Sequence, residues 1–191
     1  MARRYEDTKP ARFRIETVGG VEQIRIPARR NWLLLPFLLV WLTLWTLGGG
    51  GAALGMLRQF EPFLAVWLCF WAVGFTVVAA TIAWQLGGAE ILRADGRDLE
   101  IAYRVPPFTR RRFYRGTEIR DLDATDGNDI FTRIYAGSPP FLSWAKTGSV
   151  QFTYGARTVQ AAAGLDEPEA RLIVEHLRRR LPQGAADEGM R

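Results

Sequence analysis

Two long stretches without a charged side chain divide this chain of 191 residues. No Asp, Glu, Lys or Arg occurs from Asn31 to Leu57, or from Pro62 to Ala89. A helix crossing a bilayer needs about 20 apolar residues. Each run satisfies that length, with spans expected at about residues 32–54 and 62–86 within a hairpin unit covering 31–87. Pro36 falls in the first turns of one helix, where a missing N–H costs least, and Pro62 suits the start of the other. Gly87-Gly88 suits its end. Gly48-Gly49-Gly50-Gly51 is read as the fraying outer end of the first helix, in preference to a packing face. Only Arg58-Gln59-Phe60-Glu61 separates the runs, so the helices are expected to be antiparallel. A cleaved signal peptide is excluded, because the first run is too long and thirty polar, strand-like residues precede it. Charge-free runs of this length also argue against a helical pair buried in a soluble protein.

Outside these runs the period changes from helical to alternating. Phe13 and Ile15 alternate with Arg12, Arg14 and Glu16, then Gly19-Gly20 leads to Ile24 and Ile26 alternating with Gln23 and Arg25. This pattern is a strand, a tight turn and a strand, so residues 1–30 are expected to join the soluble domain. After the second run, residues 90–94 lead into the turn dipeptide Asp95-Gly96. Leu99, Ile101, Tyr103 and Val105 then alternate with polar positions up to Pro106-Pro107. Residues 110–115 read as a basic strand with Phe113 pointing inward. Ile119 and Leu122 are out of phase, which calls for a bulge. Residues 126–147 form a long irregular stretch of the kind that often carries function, with Phe131, Tyr135, Phe141 and Trp144 as candidate partner contacts. Val150, Phe152 and Tyr154 share one strand face, as do Val159, Ala161 and Ala163 of the next, with Gly155-Ala156 as the turn. A helix is expected over 166–181: Asp166 and Glu169 have capping-box spacing, and Ala170, Ile173, Val174, Leu177 and Leu181 share a face. Residues 183–191 read as a disordered tail. The fold class is therefore an α+β membrane protein. A transmembrane helical hairpin interrupts a small antiparallel β barrel or sandwich (88–182 plus the first hairpin), which is closed by a C-terminal amphipathic helix.

Charge refines the picture. The net charge is +5 and the pI near 9.9, values that raise nucleic-acid binding as a possibility. However, residues 1–31 carry eight basic and four acidic side chains, whereas 88–191 carry sixteen and fifteen. The domain is nearly neutral and the excess lies beside the first span, so no nucleic-acid partner is expected. Arg25, Arg29 and Arg30 flank one span and Arg93, Arg97 and Arg104 the other, while the connection holds Arg58 alone. The positive-inside rule then puts both termini in the cytoplasm of a bacterial inner membrane. Trp32 and Trp84, with Arg29 and Arg30, become interface anchors.

The stretch Gly148-Ser149-Val150-Gln151-Phe152-Thr153-Tyr154-Gly155, then Thr158-Val159, then Gly164-Leu165-Asp166-Glu167-Pro168-Glu169-Ala170 follows two spans and a series of short strands. In this it resembles the bacterial membrane proteins with pleckstrin-homology-like domains. The resemblance implies a barrel used as an adaptor for lipids or proteins, and it carries over no catalytic residue. The strands before the first span depart from the simplest version of that architecture.

The residues offer little chemistry. His176 is read as a helix-surface residue without catalytic partners, and Cys69 stands alone in an apolar run. Asp121, Asp123, Asp126 and Asp129 lack calcium-loop spacing. No phosphate loop or nucleophile elbow is present, and no cofactor is expected. Tryptophan stands out instead. Trp41 and Trp45 share a face of one span, and Trp67 and Trp71 a face of the other. These pairs are either an aromatic belt against lipid or a docking face for a larger membrane complex, its lipids, quinones or pigments. Arg110, Arg111, Arg112 and Arg115 are candidate headgroup contacts, with a solvated strand as the alternative. The chain is thus expected to be a non-enzymatic adaptor or accessory subunit, with membrane lipids and a larger complex as partners; the alternatives are an anionic-lipid-sensing membrane module and a membrane enzyme whose site the sequence does not reveal. Reporters fused at Arg58 and after Arg191 should lie on opposite sides of the membrane, and protease protection of both on one side would exclude the hairpin.

Overall fold

The computed structural model describes residues 11–125, 139 and 148–182. Strands β1 (Arg14–Val18) and β2 (Val21–Pro27) form a hairpin. Gly19 and Gly20 turn it with φ of +62° and +78°, the left-handed pair that a two-residue hairpin turn requires. Helices α1 (Leu34–Arg58) and α2 (Pro62–Gly87) follow, joined by Gln59-Phe60-Glu61. Both are long and apolar enough to cross a membrane. Helix α1 runs unbroken through Gly48–Gly51, so the glycines are helix interior and not its frayed end.

The chain continues as β3 (Ala89–Ala94), β4 (Asp98–Val105), β5 (Phe108–Arg115), β6 (Ile119–Ala124), β7 (Val150–Tyr154), β8 (Arg157–Ala161) and α3 (Glu167–Arg178). All strand pairs are antiparallel, in one sheet ordered β1-β2-β3-β4-β5 and another ordered β6-β7-β8. The fold is α+β, and its helical hairpin arises between two neighbouring strands of one sheet.

One core joins these parts. Ile24, Leu92, Leu99 and Ile101 of the larger sheet cluster with Ile119, Leu122, Val150 and Phe152 of the smaller. Helix α3 adds Ala170, Ile173, Val174 and Leu177, the i, i+3, i+4, i+7 stripe of an amphipathic helix. Its capping box is formed: the Glu169 N–H donates to Asp166 Oδ1, and the Asp166 N–H to Glu169 Oε2. The β6 bulge lies between Arg120 and Asp123, with Asp121 at φ +50°, and it turns both Ile119 and Leu122 inward.

Two further sequence expectations are corrected. Phe113 is 65% exposed and pairs with Glu100 on the outer face. Tyr114 points inward instead and meets Phe152 and Tyr154 edge-on, with 5.2 Å between ring centroids in each case. In a strand carrying one aromatic on each face, a one-residue shift turns every side chain over. Trp84 is 4% exposed and sits in the domain core against Tyr103, so it is not exposed as an interface anchor would be. The last turn of α2 is covered by β4, which a hydropathy profile does not reveal. The 126–147 stretch, apart from buried Pro139, lies outside the described residues, and so does the 183–191 tail.

The two sheets and the helix ends are tied by polar groups. The Ala28 N–H donates to the Gly88 carbonyl at 2.9 Å, and the Asn31 N–H to Gln85 Oε1 at 3.1 Å. Glu90, opposite Tyr103 in the ladder, is buried. Its carboxylate accepts from the amides of Ala162 (3.0 Å) and Ala163 (3.3 Å), which follow β8 in the other sheet's chain. Ala162 adopts φ +60°, a conformation that turns these amides toward Glu90. Burial raises the Glu90 pKa above 4.5, although the two amides and Tyr103 oppose it by favouring the charged form. Burial and the nearby Glu90 charge raise the Tyr103 phenol as well.

Glu90→Ala would leave two amides without an acceptor. It should cost about 2–4 kcal/mol in denaturation of the purified full chain. The raised pKa means that the folded state holds its proton more tightly than the unfolded chain. That contribution to stability is fully present below about pH 4.5 and is lost as pH rises through the folded value. Glu90→Gln, which cannot ionise, should lack this slope, and an unchanged slope would remove Glu90 as its source.

Candidate functional site

The four tryptophans expected to share helix faces do converge, in two different roles. Trp45 and Trp71 lie between the helices. The Trp45 Nε1–H donates to the Trp71 carbonyl at 3.3 Å, and the Trp71 Nε1–H to the Trp45 carbonyl at 2.9 Å. A Cβ on Gly49 would overlap the Trp71 indole, and one on Gly74 would touch Trp45 at 3.5 Å. The glycines therefore make a packing face on which the indoles rest. This corrects the expectation of a fraying helix end.

Trp41 and Trp67 stand beside this reciprocal pair. Trp41 stacks on Trp45 with 4.4 Å between ring centroids and 21° between planes. With Leu44, Gly48 and Gly49, the four indoles line an open groove of about 310 Å³. Neither the Trp41 nor the Trp67 indole N–H has a hydrogen-bond partner among the described residues.

The symmetry of the arrangement has a sequence counterpart that hydropathy alone passes over. Pro36-Phe37-Leu38-Leu39-Val40-Trp41-Leu42-Thr43-Leu44-Trp45-Thr46-Leu47-Gly48 matches Pro62-Phe63-Leu64-Ala65-Val66-Trp67-Leu68-Cys69-Phe70-Trp71-Ala72-Val73-Gly74. Pro, Phe, Leu, Val, Trp, Leu, Trp and Gly recur at a constant offset of 26, the separation of the two reciprocal bonds. Because the helices are antiparallel, the repeat is inverted, with its approximate two-fold axis between Trp45 and Trp71.

The arginines of β5 separate into two groups. Arg111 pairs with Glu100 at 3.3 Å and Arg115 with Glu118 at 3.6 Å. Arg110 and Arg112 have no carboxylate partner among the described residues. Arg110 lies nearer the helices, and Arg115 is five residues further along the strand, about 17 Å away. Trp32, Arg29 and Arg30 are exposed, with the Arg30 guanidinium also donating to the Leu86 carbonyl at 3.1 Å. Phe131, Tyr135, Phe141 and Trp144 lie outside the described residues, as do Asp126 and Asp129.

His176 is more engaged than a surface residue would be. Its Nε2 lies 3.5 Å from Glu22 Oε2, which Arg180 also reaches at 2.6 Å. Burial, then the Arg180 charge, lowers its pKa. No group of three or more His, Cys, Asp or Glu suited to a metal occurs among the described residues. No family model matches the chain, and no curated protein matches it.

Gly49→Ala should force Trp71 away from α1 and cost about 1–3 kcal/mol through overpacking. Gly50→Ala, which meets open space, is the matched control. Thermal melts read in the near-ultraviolet circular dichroism of the indoles would separate them, and equal melts would show that the Gly49 contact contributes nothing.

Proposed function

We propose that this chain is a non-enzymatic integral membrane adaptor, an accessory or assembly subunit of a larger membrane protein complex such as a respiratory or photosynthetic one. In this reading α1 and α2 cross the bacterial cytoplasmic membrane as a hairpin, both termini are cytoplasmic, and the β domain is pleckstrin-homology-like. Two antiparallel sheets closed by a C-terminal helix support the last point.

The aromatic groove carries the proposal. Trp45 lies eleven residues from the start of α1 and Trp71 nine from the start of α2. At 1.5 Å per residue these are depths of about 16 and 14 Å, near the middle of a hydrocarbon core about 30 Å thick. An aromatic belt belongs at the interface instead. Trp45 and Trp71 are occupied in holding the hairpin together, whereas Trp41 and Trp67 border the open groove with N–H donors that have no partner among the described residues. A donor without an acceptor in hydrocarbon is costly. That cost favours an occupant that brings both apolar surface and an acceptor, which a neighbouring protein helix supplies through its side chains or a broken turn.

Purification in mild detergent followed by native mass analysis should yield the chain with a co-purifying membrane protein. A Trp41→Ala, Trp67→Ala variant should lose that protein while its melt changes less than that of Gly49→Ala. A strictly monomeric particle free of other proteins would defeat the reading.

A further inference from the structure

The strand register fixes which side chains stand level with the helix ends. Arg104 is opposite Ala89 on one side and Thr109 on the other. Phe108 is opposite Val105, one residue nearer the helices. The β4–β5 turn touches the last turn of α2, since a Cβ on Gly87 would lie 3.7 Å from Pro106 Cδ. Phe108 is 77% exposed at this junction. Across the sheet, Arg29 and Arg30 lie between β2 and α1, followed by exposed Trp32 and Leu33. From β2 to β5 is three strand spacings, about 14 Å.

Charge along the sheet is polarised in the same direction. Arg29, Arg30, Arg104 and Arg110 are exposed, and none has a carboxylate partner among the described residues. Glu90, the carboxylate of these strands nearest this end, is buried and turned toward Ala162 and Ala163. Glu22, Asp95, Asp98 and Glu118 lie toward the opposite end, where Glu22 and Glu118 neutralise Arg180 and Arg115. Arg97 and Arg112, further from the helices, also lack a carboxylate partner among the described residues, but at the junction the exposed arginines have no exposed carboxylate of these strands beside them.

We infer that this junction is a seat for anionic phospholipid. Arg29, Arg30, Arg104 and Arg110 meet headgroup phosphates, and Phe108 and Trp32 enter the acyl boundary. Apolar wedges beside arginines without carboxylate partners are what a surface of anionic headgroups over hydrocarbon recognises. Arg104 and Arg110 stand on opposite faces of this end of the sheet, with Arg29 and Arg30 up to about 14 Å away across it, a spread that fits several headgroups better than one small anion. The inference rests on the reading that α1 and α2 cross a bilayer, and it narrows the basic strand to its junction end, with Arg111 and Arg115 engaged elsewhere.

The test uses the purified full chain, exchanged into mixed phosphatidylcholine and phosphatidylglycerol and read by the lipids retained in native mass spectra. The wild type should retain phosphatidylglycerol preferentially, and the preference should fall about fivefold for each arginine lost in Arg104→Gln, Arg110→Gln. Arg104→Lys, Arg110→Lys should keep it, as should the far-end control Arg115→Gln, Arg120→Gln. Competition by inorganic phosphate at millimolar concentration would indicate a small-anion site and overturn the lipid assignment. Equal retention of both lipids by the wild type, or equal loss in the far-end control, would overturn the seat alone. A chain that enters neither lipid would overturn the spanning reading and the seat with it.

Discussion

The pairing of β2 with β3 is the constraint on which the rest of this molecule depends. These strands are neighbours in one sheet, yet the whole helical hairpin lies between them in the chain. Paired strands are about 4.8 Å apart, whereas packed helices need 8–10 Å. The mismatch is absorbed on one side only. Helix α2 passes into β3 through Gly88 alone, while residues 28–33 lead from β2 to α1. The hydrogen bonds from Ala28 to Gly88, Asn31 to Gln85 and Arg30 to Leu86 lock that longer path against the end of α2. Helices and domain are therefore held together by backbone and side-chain bonds at their junction.

This junction explains why Trp84 and Glu90 are buried. The last turn of α2 reaches under β4, so Trp84 completes the domain's core against Tyr103. Two residues into β3, Glu90 crosses to the chain leaving β8 and holds its amides. A buried carboxylate is costly unless its oxygens are satisfied, and these have two backbone donors and the Tyr103 hydroxyl. The groups joining the two sheets therefore sit directly above the helices. In the proposed setting, a partner pulling on the hairpin would act on the domain's core and not on a flexible tether.

The helical pair has its own internal logic. Two reciprocal indole bonds and two glycines place α1 against α2 about an approximate two-fold axis. Self-association of the two halves uses Trp45 and Trp71 and leaves Trp41 and Trp67 at the groove. That division between the tryptophans that bond the helices and those that border the groove gives the groove defined walls.

Much of this architecture was legible in the chain itself. Charge-free length, Pro62 and the short connection specify a helical hairpin, because an uninterrupted apolar run has few other stable forms. Gly19-Gly20, the alternation through Tyr103, the Ile119 and Leu122 phase shift and the Asp166 capping box each specify local geometry, and each is realised. These features depend on neighbours in sequence. The packing role of Gly49, the inward turn of Tyr114 in place of Phe113, the burial of Trp84 and the two acceptor bonds of Glu90 depend on residues far along the chain. Local pattern states that a side chain is apolar or charged. Only the meeting of distant strands and helices decides which face it covers, and so which tryptophans and arginines are spent on the fold and which remain free to meet a partner.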